Sequence, residues 1–130
     1  MLNLTIQDRT AVGRVLQEMD LSFLADLITV EDLIRQRVTQ EVARYNARPE
    51  GAFNGLVQPT DSESTLNGYR LRTRRPIDTE QQVQVALRAF QENGFFIIVD
   101  ERQLEHLDDP IPVHDNLQVT FMRLMPLVGG

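Results

Sequence analysis

Gly129 and Gly130 close the sequence. Neither carries a side chain, so a glycine pair is the narrowest and most pliable end a chain can present. Such an end can be threaded into another protein's active site, where the Gly130 carboxylate meets the chemistry. A frayed terminus ends the same way, so the residues leading in carry the weight. Leu117, Val119 and Phe121 alternate with Gln118, Thr120 and Met122, the period of a half-buried strand. The strand runs into Pro126, which cannot continue a central ladder, and then straight into the glycines.

The nucleophile inventory fits an activated carboxylate. All 13 basic residues are arginine and there is no cysteine. A lysine amine can lose its proton and attack an activated acyl group, whereas a guanidinium cannot. A GC-rich genome would also suppress lysine codons. The chemical reading is that a chain whose own carboxylate becomes activated avoids acylating itself. The absence of thiols also removes disulfides and thiolate ligands.

Other chemistry finds little support. His106 and His114 have Asp108, Asp109 and Asp115 nearby, but the spacing matches no compact metal motif, so no metal is expected. There is no nucleophile motif and no glycine-rich phosphate loop. The net charge of −6 argues against a dedicated nucleic-acid binder. No apolar run approaches a membrane span, and the N-terminal residues lack a signal-peptide pattern. The expected location is cytoplasmic, with no membrane partner.

At 130 residues, 42% hydrophobic and 25% charged, the chain is expected to form a single domain over 1–130. Leu2, Leu4 and Ile6 alternate with polar residues over Met1–Asp8, a strand. Asp8–Thr10 reads as a turn, and Ala11–Glu18 as a returning strand, with Gly13 at the turn or a bulge. Leu21, Phe23, Leu24 and Leu27 are expected to cover one end of the core. Thr29 and Asp32 form a near capping box. Val30, Leu33, Ile34, Val38, Val42 and Tyr45 then share one helical face. Glu31, Arg35, Arg37, Gln40, Glu41 and Arg44 occupy the rest.

Residues 46–67 are turn-rich but hold Phe53, Leu56 and Val57, which would pin the segment to the body or to a partner. Gly68–Arg75 reads as a strand with an arginine face, Arg70, Arg72 and Arg74. Such a face either defends a sheet edge or docks an acidic partner. Asp78 and Gln81 cap a second helix whose apolar face is Val83, Ala86, Leu87 and Phe90, with Gly94 at its C′ position. Phe95–Val99 is a strand buried on both faces or meeting a partner on one. Arg102–Leu104 is a very short strand, and Leu107–Val113 a loop.

Without residues 47–93, the element order resembles that of the ubiquitin family, the β-grasp, an α+β fold. Phe96-Ile-Ile-Val99, then Gln103-Leu104-Glu105, then the last strand into Gly129-Gly130 resemble the second half of that fold. The ending Met125-Pro-Leu-Val-Gly-Gly130 is similar to the bacterial sulfur carriers of molybdopterin and thiamine synthesis. Residues 47–93 have no counterpart in either branch and are read as an insertion; 125–130 are read as a flexible tail.

The resemblance implies that the protein is a substrate rather than an enzyme. An activating enzyme would spend ATP to adenylate the Gly130 carboxylate; the chain itself needs no cofactor. A modifier is then passed as a thioester, through a conjugating enzyme, to an amine of a target protein. A sulfur carrier instead receives a C-terminal thiocarboxylate. A processing protease would enter if a longer precursor were trimmed to Gly130. Pro126 and Val128, on either side of Leu127, stand where ubiquitin's tail has arginines, and Arg123 lies further back. The activating enzyme is therefore expected to read a different tail. By the resemblance Ile98 marks a partner-binding patch, with Leu104 and Leu124 as further candidates. The extra surface at 47–93 favours a bacterial ubiquitin-like modifier over a sulfur carrier; a third reading is a β-grasp interaction module with incidental glycines. Exposed sheet edges would allow self-association.

Overall fold

The computed structural model describes residues 1–49, 51–65, 68–72 and 75–124. Its elements are β1 (Leu2–Thr10), β2 (Val15–Phe23), β3 (Leu27–Thr29), α1 (Val30–Ala47), β4 (Ser62–Thr65), β5 (Gly68–Leu71), α2 (Thr79–Gln91), β6 (Phe95–Val99), β7 (Arg102–Leu104), β8 (Pro110–Pro112) and β9 (Leu117–Arg123). The fold class is α+β. The chain divides into two compact units, one of Met1–Leu33 with the residues from Ala89 onward, the other of Ile34–Arg88. No helix among the described residues is long and apolar enough to cross a membrane.

The first unit is built on a five-stranded sheet in the order β2-β1-β9-β6-β7. β1 and β9 run parallel in its middle, with Leu4 opposite Leu117 and Thr10 opposite Arg123. The other three pairings are antiparallel. Leu4, Ile6, Ile97, Val119 and Phe121 are fully buried because the two-residue period sends them to one face. Phe90, Phe95 and Phe121 pack in series, with centroids 5.9 and 5.7 Å apart.

The β1–β2 connection differs from the expected hairpin. β1 continues to Thr10, the turn lies at Ala11–Arg14, and the strand that was expected to end at Glu18 runs from Val15 to Phe23. Gly13 makes the turn with φ +88°, and its N–H donates to the Thr10 carbonyl at 2.9 Å. The register shifts between Asp8 and Arg9, so the bulge falls across from them, at Leu16. Of the residues expected to cover the core end, Leu21 is buried, but Leu24 and Leu27 are 85% and 59% exposed. The chain leaves the sheet after Phe23, and that exit releases Leu24. Leu27–Thr29 pairs with Pro110–Pro112, a two-stranded ribbon inside what reads in sequence as a proline loop.

The start of α1 follows its sequence signature in full and that of α2 in its Asp78 cap, the Gln81 side chain reaching Thr60 at 3.4 Å instead of closing the box. The Thr29 N–H donates to Asp32 at 2.9 Å, and the Asp32 N–H donates to the Thr29 hydroxyl at 3.2 Å, a reciprocal box. The next free amides of α1, on Val30 and Glu31, donate to the carbonyls of Asp109 and Leu107. Asp78 Oδ1 accepts from the Gln81 N–H at the start of α2. The end of α2 falls one residue earlier than expected. Asn93, with φ +61°, holds the left-handed C′ position, and the following Gly94 N–H closes on the Ala89 carbonyl at 2.7 Å. Asn tolerates that region. Gly94 sits close to the helix end, where a Cβ would lie 3.1 Å from the Ala89 oxygen, a tight contact.

In the second unit Ile34, Val38, Val42, Phe53, Leu56, Ile77, Val83 and Ala86 are buried. Arg37 and Glu41, expected on the solvent face of α1, are buried too, at 0% and 6% exposure. They form an i,i+4 ion pair at 3.3 Å, and Glu41 also accepts the Leu56 N–H at 3.2 Å. Glu41 thus holds the irregular segment to α1, as Gln82 does through the Val57 carbonyl at 2.8 Å and Asn46 through both polar atoms of the Ile77 backbone. Ser62–Thr65, unassigned in sequence, pairs with Gly68–Leu71. The arginine strand therefore ends at Leu71, not Arg75.

Asp109 organises the turn that receives α1. Its Oδ2 accepts the His106 and Glu105 N–H groups at 3.0 and 2.9 Å. Those backbone bonds, His106 foremost, lower the carboxyl below its ordinary value. A lowered folded-state value contributes stability above the unfolded value of ~3.9 and loses it as pH falls through the folded value. Asp109→Ala is therefore expected to lower the melting temperature at pH 7. The difference from wild type should shrink below about pH 4 in thermal scans. A difference constant down to pH 2 would contradict the assignment.

Candidate functional site

The register of β9 sets where the chain leaves the sheet. Arg123, the last strand residue, lies between Thr10 on β1 and Phe95 on β6. β9 therefore ends on the side of the sheet that carries the β1–β2 turn. Gly130, Gly129, Val128, Leu127 and Pro126, the residues expected to be activated and recognised, lie outside the described residues. Leu124, the last one described, is 44% exposed.

The core face turns polar at this end. The inward parity of β1 runs Leu4, Ile6, Asp8, Thr10, and Asp8 is 1% exposed. Its Oδ2 accepts from Gln17 Nε2 at 2.7 Å and faces an Arg123 guanidinium nitrogen at 4.0 Å. Arg123, read in sequence as a tail-recognition residue, is thus partly committed to the body, its side chain 21% exposed. Sequence reading missed Asp8 because it ended the strand there as a turn. Continuing the alternation two residues further would have sent the carboxylate inward.

The opposite face of the sheet is open. Phe96 stands beside Met122, and Met122 beside Arg9. In the next row Ile98 stands between Gln103 and Thr120, and Thr120 beside Gln7. Ile98, Phe96 and Met122 are half-buried, so β6 alternates rather than being covered on both faces. Leu124 continues the outward parity of Met122. Leu104, expected on the partner patch, is 6% exposed and belongs to the core; it shares the inward parity of its β6 partner Ile97. Phe96 and Met122, apolar neighbours that sequence reading left out, share the outward face with Ile98. Arg9 donates twice to Gln7 Oε1, and Gln7 donates to Glu18, which leaves a polar border on the β1–β2 side.

The arginines of residues 70–75 are not one strip. Arg70 lies on β5, exposed, with Glu63 opposite in register. Arg72 is past the strand, its N–H bound to the Asp61 carbonyl at 3.0 Å. Arg74 lies outside the described residues. Arg75 pairs with Asp61 at 3.0 Å. Elsewhere in this unit Arg35 meets Glu80 at 2.8 Å, and hydrogen bonds from Gln84 and then Arg35 hold Glu80 below its usual value.

His106 acts through its backbone N–H on Asp109, and the His114 ring nitrogen lies 3.0 Å from the Asp115 carbonyl. No three His, Cys, Asp or Glu residues gather as a metal site among the described residues.

Comparisons with protein-family models, curated proteins and solved structures found no match.

The polar end of the β1–β9 pair is testable on its own. Asp8→Ala leaves Gln17 and Arg123 without this buried acceptor, and is expected to cost about 1–3 kcal/mol in urea unfolding. Amide exchange should quicken at Gln17 and Arg123 while the Ile97 and Val119 amides stay protected.

Proposed function

We propose that this protein is a ubiquitin-like modifier on a β-grasp unit, its Gly130 carboxylate adenylated by an ATP-dependent activating enzyme. The carboxylate then passes as a thioester and forms an amide with a target amine. The observation that carries the reading is the register of β9. The last strand is central, pairs in parallel with the first, and points its end out of the sheet beside the β1–β2 turn. A parallel first–last pair flanked on both sides by antiparallel partners is the strand arrangement a β-grasp requires.

The chemistry balances without any catalytic group on this chain. Attack of the Gly130 carboxylate on the α-phosphorus of ATP yields an acyl adenylate and pyrophosphate. The enzyme thiolate displaces AMP to give the thioester, and a target amine displaces the thiolate to give the amide. With no lysine or cysteine side chain in the sequence, neither intermediate meets an internal side-chain amine or thiol. The outward face bearing Ile98, Phe96, Met122 and Leu124 is the surface proposed to hold the activating and conjugating enzymes, since it leads directly to the tail. Pro126, Leu127 and Val128 would be read in the entry channel of the activating enzyme.

A sulfur carrier is the second reading, because adenylation is common to both. Intact-mass spectrometry after incubation with ATP and an activating enzyme that accepts this chain separates them. The modifier reading expects a DTT-sensitive adduct of this protein on that enzyme, absent when Gly129 and Gly130 are removed. A free protein that gains the mass of a sulfur-for-oxygen exchange, in the presence of a sulfur donor, would replace it with the carrier. An unchanged protein with a competent enzyme would leave an interaction module.

A further inference from the structure

Charge divides between the two units. Ile34–Arg88 holds nine arginines against six acidic residues, a net of +3; the remainder holds four arginines against thirteen acidic residues, a net of −9. Within the basic unit several arginines are already committed: Arg37 is buried against Glu41, and Arg35 and Arg75 pair with Glu80 and Asp61. Arg70 has no ion pair among the described residues. It lines an open cavity of about 310 Å³ together with Tyr45, Pro49, Ala52, Thr65 and Leu71.

The walls of this cavity are held in place. Phe53 and Tyr69 exchange backbone hydrogen bonds of 2.6 and 2.8 Å, tying the β4–β5 hairpin to the segment after α1. Gly68 makes the approach possible: its φ is +126°, and a Cβ there would lie 2.6 Å from the Phe53 carbonyl oxygen. Tyr45, near the end of α1, packs edge-on against Phe53 with centroids 5.6 Å apart. A hollow whose lining joins Pro49, Ala52 and Leu71 to the Arg70 cation can take an apolar side chain and an adjacent carboxylate at once.

We propose that this cavity docks an extended acidic segment of a partner protein, one apolar side chain seated against Tyr45, Pro49 and Leu71 and a neighbouring carboxylate on Arg70. An acidic occupant follows from the +3 charge of a unit within a chain of net −6. A protein segment is favoured over nucleic acid because the lining holds one aromatic ring, Tyr45, rather than a stacking series. The site does not use the C-terminal carboxylate, so it stands apart from the activation reading.

The test uses the full chain and a fluorescein-labelled peptide with a central Phe flanked by Glu and Asp. The control peptide carries Gln and Asn in their place. Anisotropy titrations at low salt are expected to show binding of the acidic peptide at least tenfold tighter than the control. Arg70→Gln should weaken it at least fivefold. Arg88→Gln, the same charge change on the exposed face of α2, should leave it within twofold, as should removal of Gly129 and Gly130. Equal loss with Arg88→Gln would reduce the effect to bulk charge and overturn the site, as would no binding at millimolar peptide. Tighter binding of a single-stranded oligonucleotide, or self-association in sedimentation that Arg70→Gln abolishes, would replace the proposed occupant and overturn it as well.

Discussion

The parallel pairing of β1 with β9 is the constraint on which the first unit depends. It brings Leu4 against Leu117 and Thr10 against Arg123, residues separated by almost the whole described chain. Closing so long a loop is entropically costly, though the cost grows only slowly with length. Burial of Leu4, Ile6, Leu117, Val119 and Phe121 on one face offsets it. Once the pair is set, β2 and β6 have one available edge each, and β7 can pair only on β6. A slip of one residue would turn every inward side chain outward. Asp8, directly opposite Phe121, would suffer most visibly, since its buried carboxylate would lose Gln17 and Arg123. The same register that builds the core therefore fixes where the terminus leaves it.

The second unit is organised by a different kind of contact. Arg37 and Glu41 form a buried ion pair, an arrangement that stabilises little by itself but costs much to break on one side. Here it also orders backbone, because Glu41 accepts the Leu56 N–H. Polar side chains on helices reach repeatedly into irregular chain: Glu41 to Leu56, Asn46 to Ile77, Gln82 to Val57. Hydrogen bonding of this kind satisfies the backbone that secondary structure does not.

What was legible in the sequence followed from periodicity and capping. The alternation at Leu117–Phe121 and Leu2–Ile6, the Thr29–Asp32 box and the Asp78 cap each act over a few residues, and each holds. The failures came where a distant partner decided the outcome. Pro110–Pro112 is a strand only because Leu27–Thr29 lies beside it. Arg37 and Glu41 look like solvated helix residues until the Leu56 amide requires an acceptor. Leu104 looked like a surface leucine, but its parity with Ile97 puts it inside. The Gln103-Leu104-Glu105 register was legible as a short strand; the face each residue takes depended on its pairing with β6.

The central claim is that the Gly130 carboxylate is an acyl donor, and adenylation is its first step in every scheme that uses it. ATP–pyrophosphate exchange by an activating enzyme measures that step directly, before any thioester, amide or thiocarboxylate forms. Exchange that depends on this protein and disappears when Gly129 and Gly130 are removed is the result expected. Exchange that proceeds equally with the shortened chain would contradict the claim, because the carboxylate being activated would not be that of Gly130.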